Sequence, residues 1–200
     1  VSCHGCWGDW PCSRWQVTNT GRGITTGCSG RSATRTAAEP ERYLDDTNVL
    51  ETRFDTATGT LVLTDLMPVA SEEDKGRLLL PDHEILRVAE CVRGEIEIEM
   101  QCAPRPDYGR RPGRIRHAGR LGVRVEMGAD LLVLRSDLPL DISADGQVRG
   151  TARLRAGDAV HTSLTFADDW PAVLPPLGDW SRAAIARSVA WWQDWASHLR

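Results

Sequence analysis

The chain has 200 residues, enough for one well-cored domain and some material besides. Its hydrophobic fraction of 41% and charged fraction of 26% are ordinary for a globular chain, and a net charge of -4 argues against a nucleic-acid partner, which calls for a basic excess. No apolar run approaches the roughly 20 residues that cross a bilayer, and the N-terminus shows no basic stretch followed by an apolar block, so neither a membrane partner nor a secretory leader is expected and a cytoplasmic location follows by default.

Residues 1–38 do not read as a folding unit. Their aliphatic content is Val1, Val17 and Ile24, set among Trp7, Trp10, Trp15, Cys3, Cys6, Cys12 and Cys28, and Asp9 is the one acidic residue before Glu39. No period of 2 or 3.6 is traceable, so the segment offers little apolar surface to offset the cost of ordering it and is expected to be disordered. Lys75 is the sole lysine against many arginines, which points to a GC-rich gene. Out-of-frame reading of such DNA yields the Arg, Gly, Ser, Cys and Trp excess found here, so an out-of-frame 5′ end is the expected origin of the segment.

From Tyr43 the pattern changes. Leu50, Thr52 and Phe54 alternate with Glu51, Arg53 and Asp55 as in a half-buried strand; Ala57-Thr58-Gly59 is a turn, and Leu61 to Leu66 returns. Ser71 to Arg77 reads as a polar loop. Two strands, Ile85 to Val92 and Glu95 to Cys102, are expected to form a hairpin about Arg93-Gly94. In the second, Ile96, Ile98, Met100 and Cys102 share one face, and Glu95, Glu97, Glu99 and Gln101 the other. Leu121, Val123, Val125 and Met127 alternate next, and Leu131 to Leu134 is a continuous apolar run suited to a strand covered on both sides. Asp145-Gly146 and Ala156-Gly157-Asp158 mark turns around the strands Val148 to Arg155 and Val160 to Phe166. About eight short strands at this spacing define an all-β, antiparallel sandwich.

The period then lengthens. Pro171, Pro175 and Pro176 mark an extended linker, and Asp179 or Ser181 is placed to cap a helix running to about Leu199. Ile185, Val189, Trp192, Ala196 and Leu199 recur at helical spacing and predict the packed stripe, with Trp191 and Trp195 beside it and left partly exposed. The reading divides the chain into an atypical segment 1–38, a sandwich 39–170 and a linker with helix 171–200.

The stretch from Arg42-Tyr43-Leu44-Asp45-Asp46-Thr47-Asn48-Val49-Leu50 to Glu51-Thr52-Arg53-Phe54 resembles a signature of bacterial family-15 glycoside hydrolases, the glucoamylase and trehalase-like proteins. Leu63-Thr64-Asp65-Leu66-Met67-Pro68, Arg87-Val88-Ala89-Glu90-Cys91-Val92-Arg93-Gly94, Pro104-Arg105-Pro106-Asp107-Tyr108-Gly109-Arg110, Leu134-Arg135-Ser136-Asp137 and Trp191-Trp192-Gln193-Asp194-Trp195 follow in the family's order. The resemblance runs from Tyr43 to the end. It implies a trehalase-like N-terminal β-sandwich of supersandwich type, a linker helix and then an (α/α)6 barrel that carries the two catalytic glutamates. In inverting chemistry such carboxylates stand roughly 6.5–9.5 Å apart, one protonating the glycosidic oxygen and the other activating water. By the resemblance that barrel is expected to begin just beyond Arg200, so it assigns no catalytic residue, cofactor or metal to this chain. It implies a non-catalytic accessory domain, inactive alone, whose partner is the downstream barrel and which meets an α-glucoside only through the full-length enzyme. Residues 1–38 lack the family's opening strand and turn, so the first strands are expected to be missing and a sheet edge bare.

Other clusters of residues carry chemistry that could build a site. Cys3-His4-Gly5-Cys6 with Cys12 and Cys28 has thiolates at a spacing that zinc uses, but the second pair stands sixteen positions apart in a segment without other order. Cys91 and Cys102 read as buried thiols on strands. Glu95, Glu97 and Glu99 read as a solvated sheet face rather than a carboxylate cluster. Arg105, Asp107, Tyr108 and Arg110 form the most site-like group, expected to shape a loop or a domain interface, since arginine fixes a carboxylate through two parallel hydrogen bonds. Trp191, Trp192 and Trp195 are the other interface candidates. Because sugars stack on exposed aromatic faces, the same tryptophans support an alternative, a stand-alone carbohydrate-binding module.

Overall fold

The computed structural model describes the backbone of residues 12–19 and 22–26 and the whole of residues 41–81, 83–104, 113–167 and 172–199. Among these, twelve strands pair antiparallel throughout and two α-helices accompany them. The architecture is the all-β antiparallel sandwich with a C-terminal helix that the sequence predicts. It is organised around one long strand.

That strand, β6 (His83–Ala103), replaces the hairpin expected about Arg93-Gly94. Its first half lies in the larger sheet, between β5 (Gly59–Leu66) and β12 (Ala159–Ala167). Its second half lies in the smaller sheet, between β1 (Cys12–Asn19) and β11 (Val148–Arg155). A strand that bends at a bulge or a glycine can pass from one layer to the other. Here Gly94 has φ +70°, and the register with β5 shifts between Thr60 and Leu61. A Cβ on Gly94 would stand 2.0 Å from the Thr58 carbonyl oxygen, so this crossing admits no side chain. The Ala156–Asp158 turn folds β11 onto β12 at the same place: the Ala156 N–H donates to the Gly94 carbonyl at 2.9 Å and the Gly157 N–H to the Cys91 carbonyl at 2.8 Å. A glycine between two strand-like runs signals a turn in sequence; the partners on either side decide that it is a bend.

The larger sheet runs β3 (Arg42–Tyr43), β4 (Leu50–Asp55), β5, β6, β12, β9 (Asp130–Ser136), β8 (Val123–Met127) and β7 (Arg114–His117). In the smaller sheet β2 (Arg22–Thr26) pairs with β1, and β10 (Asp141–Ile142) with β11. Alternation turns one set of side chains from each sheet into a shared core: Phe54, Leu61, Leu63, Leu132, Leu134 and Leu164 from the larger sheet meet Ile96, Ile98, Met100, Val148 and Leu154 from the smaller. Cys91 and Cys102 are buried in this core. Eleven residues apart on one extended strand, they lie far outside the reach of a disulfide.

Three expectations are corrected. Residues 12–19 and 22–26, expected to have no order, pair as β1 and β2, and β1 supplies β6 with a neighbour where a bare edge was expected. Its apolar alternation is only Trp15 and Val17, too short to read, but these fall in register with Met100 and Ile98; residues 1–11 and 27–40 lie outside the described residues. Ser71 to Arg77 is not a loop: α1 (Glu72–Arg77) is capped by Ser71, whose Oγ accepts from the Asp74 N–H at 3.1 Å. The cap and the acidic first turn at Glu72, Glu73 and Asp74 were legible as a helix start. Leu121, read as a strand residue, sits exposed in a 3-10 turn, Gly119–Leu121, ahead of β8.

Candidate functional site: the strap, the helix and the face beneath them

The outer face of the larger sheet is covered by the chain leaving β12. An irregular strap, 172–178, leads into α2 (Asp179–Ser197). Neither expected cap closes this helix. Gly178 is the N-cap at φ +80°, Asp179 pairs with Arg182 at 3.2 Å on the surface, and Ser181 is buried with its Oγ unpartnered. The face that α2 turns to the sheet is built from small residues, Ser181, Ala184 and Ser188, with Ile185 and Val189 partly buried at its side. Small side chains bring the helix close enough to pack on Val49, Leu66 and Leu86. Ser188 pins it: its Oγ accepts from the Val69 N–H at 3.0 Å and lies 2.8 Å from the Ala184 carbonyl.

This corrects the predicted stripe. Leu199 is 68% exposed and does not pack. At 3.6 residues per turn, Ser181, Ser188 and Trp195 lie one above another, as do Ala184 and Trp191. The tryptophans therefore continue the docking face rather than flank it. Trp191 and Trp192 are partly buried, and Trp195 is 49% exposed. The three rings interlock edge to face, with centroids 4.9 Å apart for Trp191–Trp192 and 5.7 Å for Trp192–Trp195. Among the described residues, the support that buries Ser181 and Ser188 stops short of Trp195.

Beside the apolar patch lies a buried polar chain. Arg135 on β9 is 8% exposed and Glu84 on β6 is 7% exposed. The Ser163 hydroxyl of β12 stands between them: it donates to a Glu84 carboxylate oxygen at 2.5 Å and accepts from Arg135 Nη2 at 3.5 Å. Arg135 Nη1 donates to the Pro175 carbonyl in the strap. Burial pushes the Glu84 carboxyl above its ordinary pKa, against the opposing pull of the Ser163 hydroxyl and the Arg135 charge. Burial likewise lowers Arg135, and the Glu84 charge works the other way. Two residues after Arg135, Asp137 accepts from His161 Nδ1 at 2.7 Å and from the His161 N–H at 2.9 Å, fixing the end of β9 to β12. The network was missed in sequence, although Leu134-Arg135-Ser136-Asp137 was singled out. The available signal was an arginine closing a run buried on both faces.

The other candidates fall elsewhere. Arg105, Asp107, Tyr108 and Arg110 lie outside the described residues, as do the side chains of Cys3, His4, Cys6, Cys12 and Cys28. Glu95, Glu97 and Glu99 lie on the outer face of the smaller sheet, where Glu95 pairs with Arg153 at 2.8 Å and Arg155 at 3.6 Å. Among the described residues, no three His, Cys, Asp or Glu side chains are grouped to hold a metal ion, and no helix is long and apolar enough to cross a membrane.

Fold and site together define an antiparallel β-sandwich domain with a strap and helix laid over its larger sheet. The chain belongs to the trehalase-like N-terminal domain family, whose model matches residues 26–163. It is similar to the trehalase of Mycobacterium tuberculosis, with 26% identity over 170 residues covering 77% of this chain and 25% of that protein. It is also similar to the trehalase of Mycolicibacterium smegmatis, with 29% identity over 142 residues covering 63% of this chain and 21% of that protein. The chain thus spans about a quarter or less of the length of these curated relatives.

Proposed function

We propose that this chain works as a non-catalytic accessory domain of a family-15, glucoamylase or trehalase-like glycoside hydrolase, packed against a following (α/α)6 catalytic barrel that cleaves an α-glucoside such as trehalose or a malto-oligosaccharide. The observation that carries the reading is the far end of α2. Trp195 lies on the helix face that buries Ser181 and Ser188, yet it is half exposed, with Trp191 and Trp192 locked against it. A large aromatic left uncovered on a docking face marks a partner surface. Two curated relatives about four or more times as long as the matched span are trehalases, which supports an enzyme as the setting. A cytoplasmic setting goes with this reading, and the loop at Arg105, Asp107, Tyr108 and Arg110 is proposed to shape the same interface.

The test is binding. The chain is co-expressed with the part of the Mycobacterium tuberculosis trehalase that follows its matched segment, and their affinity is measured. Complex formation is expected, weakened about thirtyfold by Trp195→Ala, which is about 2 kcal/mol, the scale of an interfacial tryptophan. Saturable quenching of tryptophan fluorescence by trehalose or maltose on the chain alone, without affinity for the catalytic part, would replace the accessory reading with the carbohydrate-binding module.

A further inference from the structure

The docking of α2 poses a physical problem. Most of the stability of a helix in a protein comes from packing one face, so α2, of 19 residues, leans on the sheet. Yet its fully buried residues are Ser181, Ala184 and Ser188, with Ile185 and Val189 only partly covered, which removes modest apolar surface from water. Among the described residues its hydrogen-bond ties to the sandwich are the part-buried Ser188 to Val69, at mid-helix, and the exposed Gln193 to the Asp45 carbonyl, near its end. Nothing in those contacts fixes the start of the helix, where Gly178 caps without a side chain and Ser181 Oγ is buried without a partner.

The start is fixed one step upstream. Arg135 reaches out of the larger sheet and donates to the Pro175 carbonyl, three residues before the N-cap. An arginine 8% exposed, with Nε unpartnered, costs the fold free energy unless the contacts it makes are needed. Its charge is answered by Glu84, and Ser163 links the two. Three neighbouring strands, β6, β12 and β9, thus each contribute one side chain to a chain of polar contacts that ends on the strap. None of the three faces the sandwich core.

We propose that Arg135 is a latch that holds the strap and, through it, α2 on the sandwich, so that strap and helix release as one unit while the sandwich stays folded. This goes beyond the accessory reading, because it concerns the chain alone and holds whatever follows α2. The latch fixes the direction in which the polypeptide leaves the domain.

Hydrogen–deuterium exchange on the whole chain tests it, segment by segment, for wild type and Arg135→Met. The expected result is at least about tenfold faster exchange across 179–197, with β5 and the first half of β6 unchanged, as for a unit that opens locally. Arg135→Lys keeps the charge but gathers its donors on one nitrogen, without the planar fork that reaches Pro175 and Ser163 together, and should give a smaller acceleration confined to the same residues. If Arg135→Met fails to fold, the lysine variant decides. Unchanged exchange across 179–197 would overturn the latch. Acceleration spread equally through β5 and β6 would also overturn it, by showing that Arg135 serves the sandwich itself.

Discussion

The crossing of β6 between the two sheets rests on one glycine, and its replacement gives a sharp prediction. Gly94→Ala puts an L residue at φ +70°, which alone costs roughly 1–2 kcal/mol. The new Cβ would stand 2.0 Å from the Thr58 carbonyl oxygen and 2.8 Å from Gly59 Cα, both backbone atoms that cannot rotate away. Moving Thr58 breaks the bond from the Glu95 N–H to its carbonyl, 3.0 Å in the native structure and worth about 1 kcal/mol. With the displaced backbone added, the loss should total about 3–5 kcal/mol, a large share of the stability of an ordinary domain. Gly128→Ala is the internal control. It has φ +79° with nothing within 4 Å of its Cβ, so only the conformational cost of about 1–2 kcal/mol applies. Urea denaturation followed by far-ultraviolet circular dichroism measures both. Equal losses in the two variants would refute the steric argument and with it the account of how β6 changes layers.

Other outcomes follow from the buried groups. Glu84 has its pKa raised by burial, so its contribution to stability is fully present below the ordinary carboxylate value and is lost as pH rises through the raised one. The stability of wild type relative to Glu84→Gln should therefore fall on going from acid to neutral pH; a difference that grows with pH would show the sign to be wrong. Met100, fully buried between the sheets, should cost about 2–5 kcal/mol when cut to alanine, read as a lowered urea midpoint. Cys91 and Cys102 should resist a thiol reagent in the folded chain and react once urea unfolds it; burial already raises the Cys91 pKa, and fast labelling of either when folded would contradict their place in the core.

The parts of the fold that the sequence displayed are those where one local pattern suffices. Leu50, Thr52 and Phe54 alternate because a single face of β4 meets the core, and Leu131 to Leu134 run together because both faces of β9 are buried, Leu132 and Leu134 in the core and Leu131 and Val133 on the opposite side. What stayed hidden depends on a distant partner. Gly94 carries the same signature in a hairpin and in a bend, and only Gly59 and the Ala156–Asp158 turn across from it choose between them. Trp15 and Val17 are too few to show a period, and their order comes from β6. Helix α2 offers two candidate faces; the bulky one was read as buried, whereas close approach to a flat sheet selects the small one. The contact of Arg135 with Pro175 joins a side chain to a carbonyl 40 residues away, which no spacing rule encodes.

As an accessory domain, the chain is proposed to support an enzyme without performing its chemistry. The most direct measurement is glucose release from trehalose and from maltose by the purified chain at high protein concentration. No release above a protein-free blank is predicted. Reproducible turnover that disappears when a carboxylate of this chain, such as Glu84 or Asp137, is changed to its amide would contradict the claim and place a catalytic site within the sandwich.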